Sequence, residues 1–180
     1  MKDSLNQQDD ERWEIIEGVP YKISPKPEEK YKHISKNIES YLVNESRWQD
    51  RGLQVFDAGT DVVFDEHNLV KPDVFVVCDT PMADKENITT PPDLIIEVSS
   101  PSTTLRDKRE KKRLYEKFFV KEYVILYPEE KLAELFSLTD DKYGAPEIFN
   151  WDETMTTKSI ELDVHLWEIF KNDNWSRSQA

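Results

Sequence analysis

Asp93-Leu94-Ile95-Ile96-Glu97-Val98-Ser99-Ser100-Pro101 decides the fold, because it reads as a buried strand that carries one carboxylate and ends at a helix start. With a period of two, Leu94, Ile96 and Val98 share one face, and Ile95, Glu97 and Ser99 share the other. A strand this apolar on both faces belongs inside a sheet covered on both sides. Glu97 would then be desolvated, at a cost of several kcal/mol unless it is paired or binds a cation.

Upstream, Lys71-Pro72-Asp73 opens a second apolar strand, Asp73 to Cys78, with Asp73 on the face of Phe75 and Val77. If the two strands are neighbours, facing Cβ atoms lie roughly 5 Å apart. Both carboxylates then reach one Mg²⁺, at about 2.1 Å from each bound oxygen. Structural ion pairs or turn roles are the alternative for both residues.

Downstream, Ser100-Pro101-Ser102-Thr103-Thr104 breaks the strand and starts a helix running to about Phe119. Its inward stripe is Leu114, Tyr115 and Phe118, and Lys111 continues that stripe toward the helix start, while Lys108 and Lys112 fall toward its edges. Lys111 is therefore the candidate cation for orienting a water and balancing charge in a transition state. Alternatively, its stem lies on the core and its amine snorkels to solvent. Asp107, one turn earlier, either holds Lys111 in place or closes a capping box beginning at Thr104. Ser99 shares the face of Glu97 but carries no charge, so the cation has to come from the helix.

Around this centre, Arg12 to Ile23 reads as two short strands about Glu17-Gly18, with the glycine supplying positive φ to a tight turn. Tyr31, Ile34, Ile38, Tyr41 and Leu42 have helical spacing, which predicts a helix over 27–45 with His33 off its stripe. Strands are expected at 53–56, 60–64, 122–127, 132–138, 147–151 and 158–160, with a polar loop over 79–92 and a final helical turn within 162–170. The expected architecture is α/β in the α+β sense: a central mixed sheet flanked by helices, with a parallel crossover through the helix at 104–119.

A chain of 180 residues is most simply one domain. We expect a flexible 1–11, a domain over 12–170 and a flexible tail over 171–180. With 4 Gly against 10 Pro, and no GxxxxGK[ST] or GxGxxG pattern, glycine-rich phosphate loops are excluded. The single Cys78 cannot form an intramolecular disulfide and reads as a small buried residue. A cytoplasmic, non-membrane protein is expected, since no apolar run approaches the roughly 20 residues of a membrane span. The formal charge of -13 opposes nucleic-acid binding at long range. However, Arg106 to Lys117 holds seven basic and three acidic residues, a local +4 that leaves -17 elsewhere. This modest basic face permits phosphate contact, with Lys108 and Lys112 as candidate nucleic-acid ligands.

These residues resemble the PD-(D/E)XK nuclease superfamily, with Pro72-Asp73 as the PD and Glu97-Val98-Ser99 at the (D/E)XK position. More narrowly, the chain is similar to the Uma family of restriction-endonuclease-like proteins. The resemblance runs through Trp13-Glu14-Ile15-Ile16-Glu17-Gly18, Lys71-Pro72-Asp73, Leu94 to Thr103, Asp107 to Lys111 with Tyr115, and Val120-Lys121-Glu122-Tyr123. It implies a restriction-endonuclease-like fold, metal-binding Asp73 and Glu97, and a lysine moved from the strand to the helix, which agrees with Lys111. Glu14 matches a family glutamate and would join the acidic cluster. Lys108-Arg109 and Phe118-Phe119 depart from the family pattern, at positions that concern packing rather than chemistry.

The function expected is Mg²⁺- or Mn²⁺-dependent cleavage of DNA phosphodiester bonds. Asp73, Glu97 and Lys111 would be catalytic, Asp73 and Glu97 would hold the metal, and Glu14, Asp107 and Ser99 would support the site. A homodimer would bring one site to each strand of a duplex. The alternative is a catalytically silent nuclease fold used for binding or scaffolding. A sugar hydrolase built on the two carboxylates ranks last, because Lys111 would then have no role.

Overall fold

The computed structural model describes residues 12–23, 29–46, 52–78 and 87–171. The stretches expected to be flexible, 1–11 and most of 171–180, lie outside them. Strands β1 (Arg12–Ile16) and β2 (Val19–Ile23) form the anticipated hairpin. Glu17 and Gly18 turn it with φ of 52° and 77°, the left-handed pair that matches strand twist in a two-residue turn.

Helix α1 (Glu29–Ser46) buries Tyr31, Ile34, Ile38 and Leu42. Then follow β3 (Gln54–Asp57), β4 (Asp61–Asp65), β5 (Asn68–Val70), β6 (Val74–Val77), β7 (Asn87–Ile88) and β8 (Leu94–Val98). Helix α2 (Thr104–Arg106) widens into a π-helical turn, Asp107–Lys111, and resumes as α3 (Lys112–Lys117). The chain ends with β9 (Glu122–Tyr127), β10 (Leu132–Thr139), β11 (Lys142–Tyr143), β12 (Glu147–Asn150), β13 (Thr154–Thr157), β14 (Leu162–His165) and α4 (Leu166–Phe170).

The central seven-stranded sheet has the order β11-β10-β9-β8-β6-β3, with β12 also on β10. It is mixed: β8 and β9 run parallel, joined through the helical segment 104–117, and the pairings of β6 with β8 and β9 with β10 are antiparallel. The two faces of β8 separate as the period of two requires. Leu94, Ile96 and Val98 enter one core with the α1 stripe, and Ile95 enters the other with Leu114 and Tyr115. Helices thus cover both faces, which is why β8 and β9 are buried along their whole length.

A second sheet of order β2-β1-β5-β4-β7 abuts the central mixed sheet that the sequence predicts. Asn68 to Val70 pairs with both β1 and β4, and β7 lies inside what reads as a polar loop, of which 79–86 is outside the described residues. Near the end, the strand expected at 158–160 is instead β13, four residues earlier. Its Met155 and Thr157 are buried between exposed threonines. Lys158 and Ser159 cannot extend it because their N–H groups donate to the Glu122 carboxylate, at 2.9 and 3.0 Å. Residues 162–165 form the partner strand, and only 166–170 are helical. Cys78 is half-buried, with its N–H donating to Asp93 Oδ2 at 2.7 Å. Among the described residues, no helix is long and apolar enough to cross a membrane.

Candidate active site

The register of β6 on β8 pairs Val74 with Ile96, so the next position sets Asp73 opposite Glu97 at the end of the sheet. Asp73 also closes the strand pair, its Oδ2 accepting the Val98 N–H at 2.7 Å. Glu97 is buried, at 4% exposure. Its Oε1 accepts from Lys111 Nζ at 2.8 Å and from the Tyr115 hydroxyl at 2.9 Å.

The π-helical turn carries Asp107 and Lys111 inward together, and both are buried. Across the widened turn the Asp107 carbonyl accepts the Lys112 N–H, and it also accepts from the Tyr123 hydroxyl at 3.2 Å. Such turns interrupt helices at functional positions often enough to draw attention to these two residues. The Asp107 carboxylate is no helix cap. Thr103 is the N-cap residue, and the carboxylate accepts from the Thr103 and Ser99 side chains. Ser99 is itself tied to Thr104, with the two hydroxyl oxygens 2.8 Å apart.

Glu14 comes from the separate sheet. The exposed hairpin turns it inward from β1, where its Oε1 accepts the Lys71 N–H at 3.0 Å and lies 2.8 Å from Lys111 Nζ. Lys111 therefore bridges Glu14 and Glu97, two carboxylates that are 83 residues apart in the chain. Arg106 stands 3.9 Å from the other Glu14 oxygen and lies over the Tyr21 ring.

Electrostatics here are set by a surplus of carboxylates. Burial pushes the Glu97 carboxyl up; Lys111 opposes this, while Asp73, Asp107 and Glu14 add to it. Burial also raises Asp107. For Lys111, burial works downward, but Glu14, Glu97 and Asp107 outweigh it and raise the amine. Lys111 keeps its proton, and Glu97 is the group that gives way. Burial followed by the charge of Glu97 lifts the Tyr115 hydroxyl well above its ordinary range, so it stays a hydrogen-bond donor.

These residues floor a cleft of about 740 Å³ at the end of the sheet. Asp73, Glu97, Lys111, Glu14 and Asp107 all line it, so the strand and helix patterns converge on one place. Ser99 sits behind it as a support for Asp107. Lys108 and Lys112 do not line it. Lys108 pairs with Glu134 at 3.1 Å over the Tyr127 ring, and Lys112 lies over Phe136. His33 is elsewhere too, its Nε2 2.9 Å from the Lys171 carbonyl.

Sequence reasoning missed Tyr115 as a Glu97 ligand, although its place one turn after Lys111 on the stripe was a signal. It also missed the cleft cations Arg12, Lys22, Lys32, Lys36 and Arg106. Among the described residues, no three His, Cys, Asp or Glu side chains are gathered about one metal position. The donor chemistry nonetheless fits a hard divalent cation held by one or two carboxylates with water completing its shell. Glu14, Glu97 and Asp107 act on the buried Lys111 and Asp73 acts on Glu97, a surplus of acidic groups that such an ion would neutralise.

The sequence profile of a family named Uma2, described as "Putative restriction endonuclease", matches residues 2–166. Among solved structures, a crystal structure described as "a putative nuclease belonging to DUF820" from Anabaena variabilis superimposes with a TM-score of 0.71. The identity is 20%, over 88% of this chain and 89% of that one. At that identity the likeness speaks for the fold. The comparison with curated proteins found no match.

Proposed function

The chain belongs to the Uma2 family, and from that premise we propose that it is a metal-dependent endonuclease that hydrolyses DNA phosphodiester bonds. The observation that carries this reading is the register of β6 on β8, which sets Asp73 across from Glu97 beneath an open cleft. Asp73 and Glu97 would hold Mg²⁺ or Mn²⁺, with Glu14 and Asp107 adding negative charge around them. When bound, such an ion lowers the pKa of a water and polarises the scissile phosphate.

The chain's own residues do the rest. Lys111 carries a permanent positive charge into the cleft floor and can donate to a phosphate oxygen or orient the attacking water. Glu14 and Tyr115 position it, the first by pairing with its amine and the second by fixing the shared Glu97 oxygen. Asp73 is held at the strand end by the Val98 N–H, which its Oδ2 accepts. The packed β-strand floor excludes water from the far side of the carboxylates.

We place this activity in a single domain spanning 12–170. A two-fold homodimer would present one cleft to each strand of a duplex. Incubating supercoiled plasmid with the protein and Mg²⁺ or Mn²⁺ tests the reading. Metal-dependent nicking lost in Asp73→Asn is expected. No nicking by the wild type, or equal nicking by Asp73→Asn, would sink it and leave a binding or scaffold module.

A further inference from the structure

Of the cations that line the cleft, only Arg106 and Lys111 come from the basic helical segment 106–117. Seven cationic and six carboxylate side chains line it, a local balance of +1 in a chain of formal charge -13. Lys111 shares the buried floor with three of the carboxylates, and among the other lining carboxylates Glu39 is half-buried and Asp57 exposed. Glu14, Glu97 and Asp107 are buried at the floor, whereas Arg12, Lys22, Lys32 and Lys36 are exposed around the mouth. Lys32 and Lys36 stand one turn apart on α1, with Ser35 between them on the same lining face. Across the cleft are Ser102, Thr103 and Arg106.

Other cations of 106–117 do not line the cleft. Lys108 pairs with Glu134, Lys112 lies over Phe136, and Arg113 pairs with Glu17 at 2.5 Å. Their density in the sequence therefore overstates what they offer a ligand.

We propose that Lys32 and Lys36 of α1, with Arg12 and Lys22 of the β1–β2 hairpin, form the track that grips the nucleic-acid backbone at the cleft. This rests on the nuclease reading above and specifies its binding surface. Lys32 and Lys36 are about 6 Å apart along the helix axis. One strand of a duplex carries a phosphate every roughly 3.4 Å of helix axis, so two amines at this spacing can meet different phosphates. A rim of exposed amines over a carboxylate floor suits a polyanion whose scissile phosphate must approach fixed negative charge. The amines offset the repulsion that an acidic body exerts, and the floor is left for the metal and the chemistry.

Fluorescence anisotropy of a labelled DNA duplex in EDTA, read as a function of salt, tests the track apart from turnover. Lys32→Ala/Lys36→Ala is expected to weaken binding at least about tenfold and to lower the salt slope by about two, since each phosphate contact contributes about 0.9. Lys108→Ala/Lys112→Ala is expected to change affinity by less than about twofold. Both pairs are checked for an unchanged melting temperature. The proposal is overturned if the α1 pair binds as the wild type does, or if the helix pair loses as much. Unchanged affinity alongside metal-dependent plasmid nicking would overturn the track alone. A wild type that binds no duplex would overturn the track and the nuclease reading together. Loss of affinity in the α1 pair without nicking by the wild type would support the track and reject the nuclease.

Discussion

Lys111 Nζ donates to Glu97 Oε1 at 2.8 Å, and both side chains are shut away from solvent, at 5% and 4% exposure. A surface pair of this length would contribute little. A buried one stakes more, because neither group has water to fall back on. The amine is also shared with Glu14 from the other sheet, so one lysine ties together the two halves of the site. That arrangement makes the site both a stability element and the proposed chemical centre, and the predictions below separate the two.

Lys111→Ala removes the cation and leaves Glu14 and Glu97 facing each other. Destabilisation of roughly 3–5 kcal/mol is expected by urea unfolding. Adding Glu97→Gln should recover part of that stability without restoring any nicking. If Lys111→Ala unfolds like the wild type, the buried pair is not what it looks to be.

Asp73→Asn keeps an oxygen to accept the Val98 N–H, so the strand end should survive with a loss of at most about 1 kcal/mol. Mn²⁺ binding, followed by isothermal titration calorimetry, should fall at least about tenfold. Wild-type Mn²⁺ affinity in this variant would remove Asp73 from the ligand set.

The pH dependence follows from Glu97. Its folded-state pKa is raised to about 8 from an ordinary 4.5, chiefly by burial. The protonated carboxyl is the form that the fold prefers. Its stabilising contribution is complete below about pH 4.5 and is lost as pH rises toward 8. Glu97→Gln keeps a neutral side chain at every pH. The wild type, measured without metal, should therefore lose melting temperature relative to Glu97→Gln between pH 5 and pH 8. Each kcal/mol corresponds to about 2–4 °C in a protein of this size. A difference that does not vary with pH would contradict the shift.

Much of the site was legible because periodicity is a physical constraint. A period of two put Glu97 on the face of Ile95, and a period near 3.6 put Lys111 on the stripe of Leu114 and Tyr115. Local pattern cannot say which sheet edge a hairpin docks against. Glu14 was visible only through the family resemblance, and its pairing with Lys111 depends on β1 joining β5. Nor does pattern reveal a π-helical turn, which brings Asp107 inward and off the capping role. Charge density drew attention to Lys108 and Lys112, which the fold sets outside the cleft against Glu134 and an aromatic ring far along the chain.

Glu122 offers a contrast, being a buried carboxylate with a structural task. It accepts from the N–H groups of Lys158 and Ser159 and from the Ser159 hydroxyl, the last at 2.6 Å. Glu122→Ala strands these donors and should cost about 2–4 kcal/mol in chemical denaturation. Mn²⁺ affinity should be unchanged, since Glu122 does not line the cleft. Weakened metal binding in a folded Glu122→Ala protein would show that the two regions are coupled.

The central claim is that Asp73 and Glu97 share one divalent cation, and a crystal soaked in Mn²⁺ tests it most directly. The account predicts an anomalous peak between the two carboxylates, with an oxygen of each about 2.1 Å away and water completing the shell. It predicts that Glu97→Gln abolishes the peak. Anomalous density only elsewhere on the molecule, or density at the cleft floor that survives Glu97→Gln and Asp73→Asn, would contradict it.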